Sequence, residues 1–388
     1  RIIEYILKKN KKGIRFHFEL QPDLLKDEII DLLSHGKEEE FHLEIGVQST
    51  HAPALAEVNR VSNVEKMAER IRRLREMTKC HIHLDLLAGM PGEDFFGFKK
   101  TLDEAFSWKT NTIQVGLTKV LKGTNLKTRV ESGELSVAPY PPYAVVKSRW
   151  LSPEDVVMCQ DMGKLVEGMY NPTKFRATLK FLIHQLFQGV PSSFFMSLAT
   201  FWRETSRPFF SFGAEAVVQG LKDFLAGTGA SDQVRKIFEA LILHEFRLCQ
   251  KVPSGKTGNA PDFHRGKLKK ELKTIPGIKV FWYEVDPLPF HQEPENLELE
   301  AVVGPVLYFY ETDLSKSPRT TTVSLSLEER YLLACYEYIK DVSELNDVLN
   351  ARRIPEISPE KYLQSMDKFI QIGLLCSSER AKPALQGS

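Results

Sequence analysis

Five residues spread over the first ninety positions have side chains that could jointly hold a polar ligand: Glu19 in FHFEL, Gln48 and Ser49 in IGVQST, Arg60 in EVNRVS, and Asp85 in HLDLLAGMPGE. A guanidinium clamps a carboxylate through two parallel N–H donors. Carboxylates accept from hydroxyl and amino groups, and a primary amide can both donate and accept. The set suits an amino-acid-bearing nucleoside, which carries a carboxylate, an amine and ribose hydroxyls. No nucleophile stands out among these residues. Nothing in the spacing fixes a distance between the carboxylates, so a glycosidase-type acid and base are not read from it.

Four strand-like runs must position this set: IRFHFEL (14–20), FHLEIGV (41–47), HIHLDLLA (81–88) and TIQVGLTKV (112–120). Helical patterns fill the gaps at 23–35, 63–78 and 94–108. Strict alternation of strand and helix predicts parallel strands joined by right-handed crossovers, as a doubly wound sheet or a barrel. Period 2 then sorts each strand into two faces. One face is apolar, with Ile14, Phe16, Phe18 and Leu20, then Phe41, Leu43, Ile45 and Val47, then Ile82, Leu84 and Leu86. The other collects His17 and Glu19, then His42, Glu44, Gly46 and Gln48, then His81, His83 and Asp85, then Gln114, Gly116 and Thr118. A parallel sheet covered on both sides reads as continuous Val, Ile and Leu, and a buried carboxylate without a partner costs several kcal/mol, in the range of about 2–7 for polar groups generally. The polar face therefore predicts a hydrated or ligand-filled lumen. The five candidates lie at or just past the C-terminal ends of strands, or in the helical segment that follows, at the rim where ligands bind in parallel α/β folds.

At 388 residues with 42% hydrophobic content the chain can bury a large core, and a net charge of +1 with scattered Lys and Arg offers no field for nucleic acid or an anionic membrane. No apolar run approaches the roughly 18 residues of a membrane span, and no signal peptide opens the chain, so the expected setting is cytoplasmic. Five distant cysteines read as reduced thiols, neither a disulfide framework nor a cysteine metal site. SGKTG (254–258) fails as a phosphate loop because Gln250 stands where that pattern needs glycine. His81 and His83, with His42 beside them, could ligate a metal, but lumen filling is the better reading. Gly89, Pro91 and Gly92 mark a strand-to-helix turn. Prolines in APYPPY predict an irregular linker over 126–150. Beyond it, 151–320 reads as a helix-rich α+β region whose aromatic patch at 194–212 is read as core, and 321–378 as a small winged-helix-like module without a basic recognition face.

The FHFEL strand, GVQS followed by an arginine, and the DLLAGMPGE turn stand in an order that resembles the second half of a radical SAM core, over residues 1 to about 125. The likeness is to the branch with the oxygen-independent coproporphyrinogen oxidases and the cobalamin-dependent radical SAM proteins. It implies an α/β fold with the last four strands of a partial (β/α)6 barrel followed by an α+β C-terminal domain. It also implies that Glu19 and Gln48 approach the ribose and amino groups of S-adenosylmethionine, that Arg60 pairs with its carboxylate, and that Asp85 lines the same cleft, with Ser49 counted among the cofactor-binding residues. The remaining two thirds resemble the uncharacterised extension of some cobalamin-binding members. Implied cofactors are S-adenosylmethionine and a [4Fe–4S] cluster, with cobalamin as a candidate third; implied partners are a small-molecule substrate and an electron donor such as flavodoxin or ferredoxin. The family's CxxxCxxC trio is absent here, and its expected place is upstream of Arg1, so the resemblance implies a fragment inactive by itself. The competing expectation is a non-catalytic binding or assembly protein on the same scaffold.

Overall fold

The computed structural model describes residues 1–22, 25–60, 63–249, 272–274, 280–283, 306–312, 320–322, 326–335, 345–351, 354–371 and 375–377. The chain divides into two compact units, Arg1–Ala230 and Ser231–Ser388.

In the first unit, α1 (Ile2–Lys9) precedes β1 (Phe16–Leu20), α2 (Asp27–Ser34), β2 (Phe41–Gln48), α3 (Ala52–Glu57), α4 (Val64–Met77), β3 (His81–Ala88), α5 (Phe95–Ser107) and β4 (Thr112–Leu117). The four strands are parallel and ordered β1-β2-β3-β4. Each crossover advances one strand in one direction, so right-handed connections stack every helix on the same side. That is the winding of a barrel arc; a doubly wound sheet reverses its order.

The expected sorting of faces holds. Phe41, Leu43, Ile45 and Val47 on β2, and Ile82, Leu84, Leu86 and Ala88 on β3, are buried alternately with half-exposed polar residues. Helical spacing turns Met67, Ile71 and Leu74 of α4 and Phe98, Leu102 and Ala105 of α5 inward, and each large apolar residue so placed contributes about 1.5–3 kcal/mol of burial. β1 differs, because it is an edge strand: Phe16, Phe18 and Leu20 are only half-buried, and Ile14 lies ahead of the strand, 53% exposed. Helix starts are fixed by capping side chains, Asn63 accepting from Lys66 N at 2.7 Å and Asp94 from Gly97 N at 2.8 Å.

The stretch expected to be an irregular linker is folded. α6 (Leu126–Glu131) is followed by β5 (Leu135–Val137) and β6 (Val145–Ser148), an antiparallel pair. The prolines occupy its turn, while Val120, Leu135 and Val145 form a small core beside β4, and Val145 N donates to Thr118 O at 2.8 Å. α7 (Pro153–Leu165), opened by a Ser152–Asp155 capping box, runs into a π-helical turn (Val166–Tyr170). Gly163 of α7 meets Val115 of β4 so closely that a Cβ would stand 2.8 Å from it. α8 (Arg176–Phe187), α9 (Pro191–Glu204) and α10 (Ala214–Ala226) complete the unit. Asp103 of α5 accepts from Ser192 N at 2.6 Å and Ser192 Oγ at 2.7 Å, satisfying the start of α9. The aromatic patch is core at Phe194, Phe195 and Trp202, whereas Phe210 is exposed.

The second unit contains α11 (Asp232–Cys249), a β10-β9-β8 antiparallel sheet of Val280–Tyr283 (β8), Val306–Thr312 (β9) and Thr320–Thr322 (β10), and a pair between β7 (Leu272–Thr274) and β11 (Leu375–Ser377). The three terminal amphipathic segments are helices α12 (Leu327–Cys335), α13 (Leu345–Ala351) and α14 (Pro359–Gln371). The SGKTG segment lies outside the described residues. No helix among the described residues is long and apolar enough to cross a membrane.

Candidate functional site

The register stacks the polar face in tiers. His17, His42 and His81 are Cα partners at the N-terminal end; Glu19, Glu44 and His83 form the next tier; Gly46, Asp85 and Gln114 the third; and Gln48 ends β2 above them. Charge and hydrogen-bonding character thus change from imidazole, through carboxylate, to amide along the strands.

Gln48 and Arg60 meet over Gly46. A β-bulge between Gly46 and Gln48 and a left-handed backbone at Gln48 (φ 67°) turn this side chain across the strand. A Cβ on Gly46 would lie 2.8 Å from Gln48 Nε2 and 3.4 Å from Arg60 Nη2, so only glycine leaves room beneath the pair. Arg60 arrives by a helix-ending turn: Asn59 is left-handed (φ 57°) and Arg60 N donates back to Leu55 O at 2.8 Å. Asp85 is the Cα partner of Gly46 on the neighbouring strand. Its Oδ1 faces His83 Nε2 at 3.3 Å, yet neither atom completes a hydrogen bond and both are sealed from solvent. Such atoms retain capacity for a ligand.

Two candidates stand elsewhere. Glu19, exposed on the edge strand, is in register with Glu44, a tier below Gly46. Ser49 is fully buried, and its hydroxyl donates to Glu93 Oε1 at 2.5 Å. Strand alternation carries it to the helix side, so its hydroxyl is spent on the turn.

Glu93 is the residue that sequence reasoning passed over. It is fully buried, accepts from Ser49 Oγ and from Thr101 Oγ1 at 3.0 Å, and leaves Oε2 without a partner. Burial pushes its carboxyl up to about 7, against the pull of those hydroxyls. Thr101 also accepts from Thr50 N at 3.1 Å, and Ser49 Oγ from His51 N at 2.8 Å, so Glu93 anchors the turn that follows Gln48. The available signal was a glutamate just before the helix cap Asp94, with a threonine, Thr101, about two helical turns later. Gly89 (φ 84°) and Gly92 (φ 81°) serve packing: their missing Cβ positions meet Val145 and Glu57 respectively.

The imidazoles pack on each other. His17 and His42 stack at 4.8 Å between ring centroids and His42 lies 4.2 Å from His81. Burial, then the neighbouring His81, His17 and His83, lowers His42 to about 4, and burial lowers His81. Among the described residues no group of three or more His, Cys, Asp or Glu is placed to hold a metal ion. Cys80 and Cys159 are buried thiols, both pushed up by burial, and Cys249 lies in the second unit. They do not make a thiolate trio, and a [4Fe–4S] cluster does not fit them.

Residues 134–276 match the family described as protein of unknown function (DUF4080). The chain is similar to the ribosomal protein uS12 methylthiotransferase RimO of Cupriavidus necator, 35% identical over 91 residues, which is 23% of this chain and 20% of that protein. It thus spans about a fifth of that relative's length. Among solved structures it resembles the Escherichia coli coproporphyrinogen III oxidase HemN, a radical SAM enzyme, at 18% identity and a TM-score of 0.30 over 39% of this chain and 32% of that one. It also resembles TsrM of Kitasatospora setae, a radical S-adenosylmethionine methyltransferase with cobalamin and a [4Fe–4S] cluster bound, at 16% identity and a TM-score of 0.29 over 40% and 30%.

Proposed function

We propose that this chain is the S-adenosylmethionine-holding part of a radical SAM enzyme, in which that cofactor is cleaved to a 5′-deoxyadenosyl radical at a [4Fe–4S] cluster. The observation that carries the reading is the convergence of Gln48 and Arg60 over Gly46, with the buried, hydrogen-bond-hungry Asp85 Oδ1 on the next strand. Arg60 would take the carboxylate of the methionine moiety, and Gln48 and Asp85 the hydroxyl or amino donors. Glu19 would reach the ligand only from the sheet edge, and Ser49 would act through the turn. Cys80, Cys159 and Cys249 do not hold the cluster, so the radical chemistry is assigned to no residue of this set. A cobalamin, a reducing protein partner and a small-molecule substrate belong to the same reading of the whole enzyme.

The test is isothermal titration of S-adenosylmethionine into the 388-residue chain. Binding is expected for the wild type, and Arg60→Ala should weaken it by tenfold to a hundredfold, since a charge-assisted pair contributes about 1.5–3 kcal/mol. No heat at millimolar ligand, or equal affinity in both proteins, overturns the reading.

A further inference from the structure

Four helices of the first unit, α5, α7, α9 and α10, frame a cleft of about 580 Å³, within the range of about 300–1,000 Å³ usual for small-molecule sites. The Gln48–Arg60 cradle lies on the polar face of the strands, so the cleft is a separate place in the fold. Its inner wall is apolar: Phe224 is buried, and Phe95, Met158, Met196 and Phe201 line the cleft half-buried. The outer wall carries Glu154, Asp155 and Glu204, of which Glu154 and Glu204 are exposed. Among the described residues no lysine or arginine lines the cleft.

The fold accounts for two of these carboxylates and not for the third. Glu154 and Asp155 stand in the first turn of α7, where negative charge offsets the positive end of the helix, and Asp155 closes the capping box by accepting from Ser152 N at 3.0 Å. Glu204 is the last residue of α9, the end at which the helix dipole disfavours a carboxylate, and it enters no ion pair among the described residues. The basic residues beside it are committed elsewhere: Arg203 Nε donates to Asp161 Oδ2 at 2.5 Å, and Arg207 pairs with Asp223. α10 also ends on the cleft, with Gly227 and Thr228 in its wall. Two negative helix ends and three carboxylates thus meet over an aromatic and thioether surface.

We propose that this cleft is a binding site for a small organic cation, a protonated or quaternary amine carried on an aromatic or branched apolar body. The apolar body covers the phenylalanine and methionine side chains, and the flexible thioethers adapt to its shape. The ammonium group answers Glu204 and Glu154, with the rings adding attraction for a cation. Phe201 already has the Arg207 guanidinium 5.7 Å from its ring centre. An anion is repelled by the same field, and a neutral ligand leaves Glu204 unanswered.

The test uses the full 388-residue chain labelled with 13C at its methionine methyl groups, with Met158 and Met196 assigned by single leucine substitutions. The probes share one shape and differ in charge: phenethylamine is a cation at neutral pH, phenethyl alcohol is neutral and hydrocinnamate is an anion. Saturable shifts of the Met158 and Met196 signals are expected with the amine at millimolar concentration, about tenfold weaker binding with the alcohol and none with the carboxylate. Glu154→Gln combined with Glu204→Gln should weaken the amine by about threefold to tenfold, the size expected of two solvent-screened charges, and leave the alcohol unchanged. Thr200→Arg, at an exposed position of the wall, supplies a resident cation and should abolish amine binding; the signals of the remaining methionines report that each variant is folded. Equal affinity for amine and alcohol, unchanged amine affinity in the double glutamine variant, or no shift at tens of millimolar amine overturns the proposal. Met158 and Met196 signals that move with protein concentration alone, as a second copy seated on this face would cause, overturn it as well.

Discussion

Glu93 and Glu44 are both carboxyls held above their ordinary range, and they are held there by opposite means. Glu93 is enclosed, with two hydroxyls donating to it and burial as the dominant effect. Glu44 is partly open, its side chain 27% exposed, and it is raised first by another carboxyl, that of Asp85. A carboxyl raised by burial is a piece of framework that happens to be neutral. One raised by a partner on an open face has its ionisation tied to that partner, and so to whatever the partner binds. The comparison separates the support of the site from its chemistry.

The largest consequence falls on Glu93. Its folded value is near 7 against an ordinary 4.5, so below pH 4.5 both folded and unfolded chains carry the proton and the group costs nothing. Between 4.5 and 7 the unfolded chain ionises while the folded one does not, and stability is lost as pH rises. The expected loss is on the order of 3 kcal/mol, from about 1.4 kcal/mol for each tenfold difference in proton affinity between the folded and unfolded chains. Chemical denaturation from pH 4.5 to 8 checks it. Glu93→Gln, neutral in both states, should flatten that slope; an unchanged slope in the variant would show that the enclosed carboxyl is not its source.

A smaller effect sharpens the difference from the other side. Gly46→Ala places a methyl 2.8 Å from Gln48 Nε2 and 3.4 Å from Arg60 Nη2. The backbone there is that of a strand, and the displaced groups are the ends of flexible side chains, so stability should change by less than about 1 kcal/mol. Binding of S-adenosylmethionine should nevertheless fall by about tenfold, because the cradle and not the framework is what moves. Thermal melting and titration calorimetry on the same preparation read the two effects separately.

How far these regions could be read in the sequence follows the same division. The alternation in FHLEIGVQ and HIHLDLLA specifies which side chains share a face, and the structure keeps that sorting residue by residue. β1 departs only because an edge strand has one neighbour, leaving its aromatic residues half-covered. The meeting of Gln48 and Arg60 depends on a bulge and on two left-handed residues, Gln48 and Asn59, neither of them glycine. No composition rule marks such positions. Alternation by itself places Ser49 opposite Gln48, and grouping the two by adjacency overrode that rule. The hairpin of β5 and β6 was hidden because APYPPY reads as irregular chain when its flanks are ignored, although Leu135 and Val145 are both buried. Glu93 was hidden for the most general reason: a charged residue in a turn is expected in solvent, and only coordinates place Ser49 and Thr101 around it.

The smallest effect concerns the imidazoles at the N-terminal end of the polar face. His42 is lowered to about 4, first by burial and then by His81, His17 and His83. A folded value below the unfolded 6.5 means that the neutral ring is favoured in the folded chain. Its contribution is complete above pH 6.5 and is lost as pH falls toward 4. The stack is partly open, so solvent screening keeps the effect small. His42→Phe retains a flat ring between His17 and His81 and removes the titration. Melting temperatures of wild type and variant should therefore converge above pH 7 and separate below 6, the variant falling less steeply. Parallel profiles across that window would mean that the stack takes up no proton there. Because Glu44 and Glu93 pull stability the other way over overlapping pH values, the comparison must be made in the Glu93→Gln background, where the only slope left below pH 6.5 from these tiers is that of the imidazoles and the Glu44–Asp85 pair.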